Sequence, residues 1–245
     1  MKKRSIISVL VIAGMVCLGG CSIMTGDFGS SEGKRLKERG DAAIAYLEEK
    51  YGEEFTPITY GLSDYLSDVD VVECYPSWMD PEQEYVSIFL HSDGTYGDNY
   101  YEYLKREEIE EYIKNFFCPA FGDEIKVYLS CSKSEMPAEL NRDSTVEDFL
   151  QQKPEYTFVA SVFVNGNDTI PEIEFEQKMA DIEENLYKTG RAYILNLYVV
   201  DPSAYERIAR HETSSVTDIY KEKWEPDGRV IKNAHEVMVF PEEGN

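Results

Sequence analysis

The first 21 residues decide which part of this 245-residue chain is available to fold. Three basic residues at positions 2–4 precede an apolar run from Ile6 to Leu18, which ends in Gly19, Gly20 and Cys21. This order of charged, apolar and small residues is typical of a secretory signal. The run is shorter than the roughly 20 apolar residues that a membrane-spanning helix needs. We therefore expect residues 1–20 to be removed and to take no part in the mature fold.

The end of this segment, Leu18-Gly19-Gly20-Cys21, resembles the lipobox of bacterial lipoproteins. The resemblance implies cleavage before Cys21, a diacylglyceryl thioether on its sulfur and often a third acyl chain, such as palmitate, on its amine. Each buried methylene contributes about 0.8 kcal/mol, so two or three long chains anchor a protein firmly. Cys21 is thus the predicted lipidation site, the lipid membrane is the predicted partner, and the protein is expected on the extracytoplasmic face of the cell membrane.

The composition describes a folded, strongly acidic body. The formal net charge is −23, and loss of residues 1–20, which carry basic but no acidic side chains, makes it more negative. Such a surface repels phosphate backbones, so nucleic acid is not an expected partner. Apolar residues make up 42% and aromatic residues 13% of the chain, which is enough to build a core.

Apolar periodicity predicts an α+β fold with antiparallel sheets and helices packed on one face. Helices are predicted at 36–51, 100–117, 144–152, 175–186 and 202–210. Strands are predicted at 55–60, 68–75, 85–91, 125–131, 156–164, 192–200, 216–224, 229–231 and 237–240. Of these, the segment from Ala192 to Val200 is the most apolar, so we expect it at the centre of a sheet.

The chain divides into four predicted segments. The signal peptide (1–20) is followed by a glycine-rich, lipidated tether (21–34), an N-terminal α+β module (35–117) and a C-terminal α+β module (123–241). The run Cys118-Pro119-Ala120-Phe121-Gly122 between the modules is the predicted boundary, because proline and glycine interrupt regular structure. One domain and two small subdomains both remain open.

Residues 36–117 resemble small exported proteins and lipoproteins of Gram-positive bacteria. The resemblance rests on the helix-to-strand junction Tyr46-Leu47-Glu48-Glu49-Lys50-Tyr51-Gly52-Glu53-Glu54-Phe55 and on the later turn Gly97-Asp98-Asn99-Tyr100. Those families are largely of unknown function, so the resemblance implies no catalytic residue. It does favour the outer face of a Gram-positive membrane.

No catalytic motif stands out downstream of the signal. Gly29-Ser30-Ser31-Glu32-Gly33 matches the Gly-x-Ser-x-Gly pattern, but it lies in the predicted tether with no predicted strand before it, so it does not indicate a nucleophile elbow. His91, His211 and His235 lack the spacing of a metal site. Two acidic groups are candidate cation ligands: Asp64, Asp68 and Asp70 in one, Asp93 and Asp98 in the other. The second group lacks the ligand pattern of a calcium loop, and turn formation explains both groups as well. We therefore assign no catalytic, metal or cofactor-binding residue and expect no cofactor.

Three cysteines remain in the mature chain, Cys74, Cys118 and Cys131. An odd number in an exported protein permits one disulfide and one free thiol, or three thiols.

These observations predict a membrane-anchored lipoprotein with a non-catalytic binding or interaction module, whose partner is a protein, peptide or glycan of the envelope. Two alternatives remain: an envelope hydrolase that uses paired carboxylates, and a solute-binding lipoprotein. The hydrolase predicts a concave pocket with two convergent acids, at least one of them desolvated. The solute-binding form predicts repeated βα units, and the sequence lacks them.

Overall fold

The computed structural model describes residues 31–61, 69–166, 169–210 and 231–241. Cys21, the signal segment, Asp64, Asp68, His211 and nearly all of the predicted hairpin at 216–231 lie outside these residues. Within them the chain forms six helices and eight strands, which build two four-stranded sheets.

The first sheet is an antiparallel meander covered by one long helix. Its elements are α1 (Ser31–Tyr51), β1 (Phe55–Gly61), β2 (Asp70–Pro76), β3 (Val86–Leu90) and β4 (Tyr96–Asp98), with the strands in the order β1-β2-β3-β4. Ala43, Leu47 and Tyr51 of α1 pack on buried residues of the strands to form the first core. The helix ends where Gly52 adopts a φ of +64°, a conformation that favours glycine. It begins at Ser31, so residues 31–34, which we assigned to the tether, are helical.

The second sheet is larger and of mixed type. The helices α2 (Tyr100–Leu104) and α3 (Arg106–Phe121) precede it in the chain. Its four strands are β5 (Ile125–Leu129), β6 (Thr157–Asn165), β7 (Ala192–Val200) and β8 (Ile231–Val239). Three further helices lie between these strands in the sequence: α4 (Val146–Gln152), α5 (Glu172–Tyr187) and α6 (Pro202–Arg207). The strand order is β5-β6-β7-β8, which confirms the interior position predicted for 192–200. The pair β6 and β7 is parallel, with α5 as its crossover, whereas the other two pairs are antiparallel.

Two helices cover one face of the second sheet. Ile109, Ile113 and Phe117 of α3 and Met179 and Ile182 of α5 pack with the strands in the second core. The short helix α6 lies on the opposite face, where Ala204 and Ile208 contact Phe163 and Val200. The α+β fold class predicted from the sequence is therefore confirmed, and the parallel pair is an addition to it.

The segment between the two sheets differs from the single helix predicted over 100–117. Lys105, with φ −103° and ψ 13°, separates α2 from α3. Helix α3 continues to Phe121 and holds Pro119 near its end, where few backbone hydrogen bonds remain to be lost. Tyr100 belongs to the first core and Tyr101 to the second, so the chain passes between cores at this point. The domain division at 118–122 stays a prediction.

Candidate functional site

Four buried charged residues follow one another at intervals of four along the segment that joins the sheets. Asp98, Glu102, Arg106 and Glu110 are at most 8% exposed. Asp98 is the last residue of β4, Glu102 lies in α2, and Arg106 and Glu110 lie one turn apart on the same side of α3. We call Asp98, Glu102, Arg106 and Glu110 the polar stripe. Each member contacts the chain that runs from the end of β5 to Met136 or a side chain beside it.

Asp98 ties the first sheet to the second. Its carboxylate accepts hydrogen bonds from Lys50 Nζ at 2.8 Å, from the Tyr51 hydroxyl at 3.0 Å and from the Tyr100 amide at 2.9 Å. Its backbone carbonyl accepts from the Met136 amide at 2.8 Å. Lys50 is itself only 7% exposed, so this is a buried ion pair. Removal of either partner would leave an uncompensated charge in the interior.

Glu102 is the second member and holds the segment that follows β5. The Ser132 amide donates to both of its oxygens, at 2.8 and 2.9 Å, and the Tyr156 hydroxyl donates to Oε1. Burial is the largest influence on this carboxyl group and raises its pKa to about 7. The hydrogen bonds and the positive charges of Arg106 and Lys153 act in the opposite direction, but they do not outweigh the loss of hydration.

Arg106 has an incomplete set of partners. Its Nη2 donates to Glu84 Oε1 at 2.9 Å, and its guanidinium carbon lies 5.0 Å from the centre of the Tyr103 ring. The side chain is 9% exposed. Burial acts to lower the pKa of Arg106, but its interactions with Cys131 and Glu84 together outweigh burial and raise it. Its Nε is one of two buried side-chain atoms among the described residues that have no hydrogen-bond partner. Most buried polar atoms in proteins have a hydrogen-bond partner, so Arg106 Nε is an exception to that pattern.

Glu110 closes the stripe at the edge of the second sheet. It accepts a hydrogen bond from the Leu129 amide at 2.8 Å and binds Arg210 through both terminal nitrogens of the guanidinium, with Nη2 at 2.7 Å. The guanidinium of Arg210 also lies 5.2 Å from the centre of the Tyr128 ring. The hydrogen bond from Leu129 to Glu110 satisfies an amide on the side of β5 that faces away from β6, where no other strand among the described residues pairs with it.

A cleft of about 830 Å³ lies beside the stripe. The loop before β3, the helix α2 and the residues around the end of β5 contribute its walls. Its charged and aromatic lining consists of Glu82, Glu84, Tyr85, Tyr103, Lys133 and Arg210. Lys133 donates to the Tyr85 hydroxyl and lies 4.8 Å from the centre of that ring. Arg106 does not itself line the cleft, but it contacts two residues that do, Glu84 and Tyr103.

Of the acidic residues singled out in the sequence, Asp70, Asp93 and Asp98 are described, and the structure gives them separate surroundings. Asp93 is exposed and accepts from the Thr95 amide at 2.9 Å, which with the Thr95 hydroxyl lowers the pKa of the carboxyl. Asp70 pairs with Arg39 at 2.6 Å, and Asp98 is buried in the stripe. In the part of the chain that is described, no group of three or more potential ligands could hold a metal ion.

The described histidines and the cysteines do not form a metal or disulfide site. His91 contacts Glu135 at 3.1 Å, and His235, on β8, contacts Glu183 at 2.9 Å. Cys74, Cys118 and Cys131 are all free thiols. Of the two arrangements that the sequence left open, the structure has the one without a disulfide.

Sequence reasoning missed the stripe and the cleft. The helix over residues 100–117 was predicted from its apolar periodicity, and that prediction assigned no role to the charged residues between the apolar ones. The available signal was the four-residue spacing of charges from 98 to 110 in a segment that is also rich in tyrosine. Glu84, Lys133 and Arg210 carry no such signal, because only the tertiary fold brings them to the cleft.

Comparison with known proteins identifies one distant structural similarity. No family model and no curated protein matches the sequence. A solved structure, described as that of a DUF5037 family protein from Ruminococcus gnavus ATCC 29149, matches with 20% sequence identity and a TM-score of 0.33. The match covers 69% of this chain and 77% of that one.

Proposed function

We propose that the chain is a bacterial lipoprotein, anchored through lipid on Cys21, whose folded part binds a ligand in the cleft without chemical turnover. The anchor rests on the order of basic, apolar and small residues that ends at Cys21. Among the described helices, none is long and apolar enough to cross a membrane.

The cleft is the observation that carries the binding proposal. Its volume of about 830 Å³ lies in the range of roughly 300–1,000 Å³ that small-ligand sites occupy. It combines the aromatic rings of Tyr85 and Tyr103 with the charged groups of Glu82, Glu84, Lys133 and Arg210. A concave, partly aromatic site with a small number of polar groups that converge on it is typical of ligand binding.

Hydrolysis by paired carboxylates has less support. Glu102 has the raised pKa of a general acid, but Ser132 and Tyr156 occupy its oxygens and it is not among the residues that line the cleft. Glu84 does line the cleft, and there it pairs with Arg106. A general acid must lie within hydrogen-bond reach of the substrate. The geometry therefore favours binding over hydrolysis.

The anchor is tested by metabolic labelling with an alkyne analogue of palmitate. The variant Cys21→Ser is expected to lose the label and to accumulate as the uncleaved precursor. Cys17→Ser is the matched control, since it removes a cysteine from the same segment and leaves the lipobox intact. Label retained in Cys21→Ser, or lost equally in both variants, contradicts the proposed anchor.

The binding proposal is tested by thermal unfolding of the full chain with short peptides, neutral oligosaccharides and divalent cations. A ligand at 100 times its Kd adds about 2.7 kcal/mol to the free energy of unfolding. The shift should disappear in Tyr85→Ala, which alters the cleft, and persist in Tyr187→Ala, which alters an exposed tyrosine on α5. A screen without any shift that depends on Tyr85 contradicts cleft binding.

A further inference from the structure

We propose that Glu102 regulates the cleft through its state of protonation. The ionised carboxylate holds in place the part of the cleft wall that Ser130, Cys131 and Lys133 form, and protonation releases it. This inference rests on the proposed function, because it names the regulation of the same cleft. Three observations carry it: the contacts between Glu102 and this part of the wall, the conflict between those contacts and a proton, and the surroundings of the carboxyl group.

Glu102 holds the wall through a backbone amide. The Ser132 amide donates to both carboxylate oxygens, at 2.8 and 2.9 Å. This amide belongs to the peptide group that joins Ser132 to Cys131, and the next residue is Lys133; Cys131 and Lys133 both line the cleft. Glu102 itself does not line the cleft. It is therefore a positioning residue, which acts on a ligand only through this part of the wall.

The contacts of Glu102 are those of an ionised carboxylate, which only accepts hydrogen bonds. The Ser132 amide and the Tyr156 hydroxyl both donate to it. A proton on either oxygen lies against the hydrogen of the Ser132 amide, so at least one of these hydrogen bonds must break. The Asn99 side chain still donates to the Ser132 carbonyl at 3.2 Å. Protonation should therefore shift this part of the wall without detaching it.

The surroundings of Glu102 make the carboxyl group sensitive to pH near neutrality. Burial raises its pKa to about 7, although Arg106 and Lys153 contribute positive charges that favour the ionised form. Burial also raises the pKa of three other titratable groups that interact with it electrostatically, which are Tyr103, Cys131 and Tyr156. These three groups stay neutral near pH 7. A change of pH around 7 therefore acts on Glu102 itself.

A histidine contact lies farther along the same stretch of chain. His91 contacts Glu135, three residues after Ser132, at 3.1 Å. Histidine can change its charge near neutral pH. A test of Glu102 therefore needs a variant of His91 as its matched control.

The rate of acetylation of Lys133, in the full chain in detergent, tests whether the wall moves. Lys133 donates to the Tyr85 hydroxyl, and this bond raises the pKa of its amine, so release of the wall should make the amine more reactive. The rate is divided by that of Lys188, whose side chain is 61% exposed, to remove the general effect of pH on amines.

Between pH 8 and pH 6, the protonated fraction of a group with a pKa of 7 rises from about one tenth to about nine tenths. The ratio of the Lys133 rate to the Lys188 rate should therefore rise several-fold over this range. A ratio that stays constant or falls overturns the inference.

A second arm tests the residue. Glu102→Gln cannot ionise, so its ratio should be independent of pH and as high as that of the unmodified protein at pH 6. His91→Gln removes the histidine contact and should keep the pH dependence. A ratio that still varies with pH in Glu102→Gln, or that no longer varies in His91→Gln, overturns the inference.

The nuclear magnetic resonance signal of the Ser132 amide gives a reading that needs no variant. In the full chain in detergent, its chemical shift should change with a midpoint near pH 7, because its hydrogen bonds to the carboxylate are altered there. A chemical shift that stays constant from pH 5 to pH 9 overturns the inference even if Glu102→Gln fails to fold.

The outcomes separate this inference from the proposed function. Ligand stabilisation that depends on Tyr85, together with a Lys133 ratio that does not vary with pH, overturns the regulation and leaves the cleft as a binding site. No stabilisation that depends on Tyr85 with any probe overturns the binding proposal, whatever the ratio does.

Discussion

The helices α2 and α3 have two buried sides with opposite chemistry. One side carries Tyr101, Ile109, Ile113 and Phe117 into the second core. The other carries Glu102, Arg106 and Glu110, which continue the polar stripe from Asp98 at the end of β4, and every charged group of the stripe has a hydrogen-bonded or ionic partner from another part of the chain. The apolar side packs on the second sheet by burying apolar surface. The stripe instead forms hydrogen bonds and ion pairs with particular residues of both halves of the protein. Buried charge is costly unless paired, so the stripe depends on each partner in a way that the core does not.

The largest difference between the two sides should appear at Asp98. Asp98→Ala leaves Lys50 buried without its counter-charge, and we expect a loss of about 3–5 kcal/mol in the free energy of unfolding, measured by urea denaturation. The matched control is Asp70→Ala, whose partner Arg39 is 38% exposed, and the expected loss is below about 1 kcal/mol. Equal losses in the two variants would show that burial of the Asp98 pair is unimportant.

The next effect concerns pH and Glu102. Its folded pKa of about 7 lies above the ordinary value of 4.5, so the folded state binds the proton more tightly than the unfolded state. The resulting stabilisation is complete below pH 4.5 and is lost as the pH rises through 7. Each pKa unit corresponds to about 1.4 kcal/mol, so the free energy of unfolding should fall by about 3 kcal/mol once the pH is above the folded pKa of Glu102.

Glu102→Gln tests this effect, because the amide offers one acceptor and one donor, as the protonated acid does. The difference in the free energy of unfolding between Glu102→Gln and the unmodified protein should grow in favour of the variant from pH 5 to pH 8. A difference that stays constant over this range would mean that Glu102 is ionised throughout.

A smaller effect is expected on the apolar side of the same helix. Ile113 is fully buried, and Ile113→Val removes one methylene group. We expect a loss of about 0.5–1.5 kcal/mol, which should be the same at pH 5 and pH 8 because no charge is involved. Chemical denaturation at both pH values measures it, and a marked dependence on pH would contradict the separation of the two sides.

The smallest effect belongs to a solvent-exposed pair. Lys37 and Asp41 form an ion pair at 2.6 Å on α1, with about half of each side chain exposed. Lys37→Ala should change the free energy of unfolding by less than about 1 kcal/mol, and addition of salt should reduce the change further. A loss as large as that of Asp98→Ala would remove the distinction between surface and buried pairs.

Much of the local structure could be predicted because each element carries its own signal. The apolar strand at 192–200 and the helix around Phe175 to Leu186 are visible in residue type and spacing. The helix predicted at 144–152 is present as α4, and in the structure Thr145 and Asp148 form a capping box at its start. The short strand β4 and the break at Lys105 were missed, because pairing with β3 and packing between the two cores determine them.

The candidate site was much less predictable, for a physical reason. A charged residue on a helix is usually solvated, and its sequence neighbours do not reveal whether a distant segment will cover it. Glu102 becomes a buried acid only because the residues after β5 and Tyr156 close over it. The pairing of Glu84 with Arg106 likewise joins the first sheet to the segment that leads into the second.

The sequence by itself determined the α+β class and most element positions, because apolar periodicity and turn residues act locally along the chain. It also provides the whole basis for the predicted lipid anchor at Cys21. The tertiary structure decided the parallel pair of strands, the cysteines as free thiols, the polar stripe and the cleft. Each of these depends on contacts between residues far apart in the sequence, and their burial then sets the pKa of Glu102 and leaves Arg106 Nε without a partner.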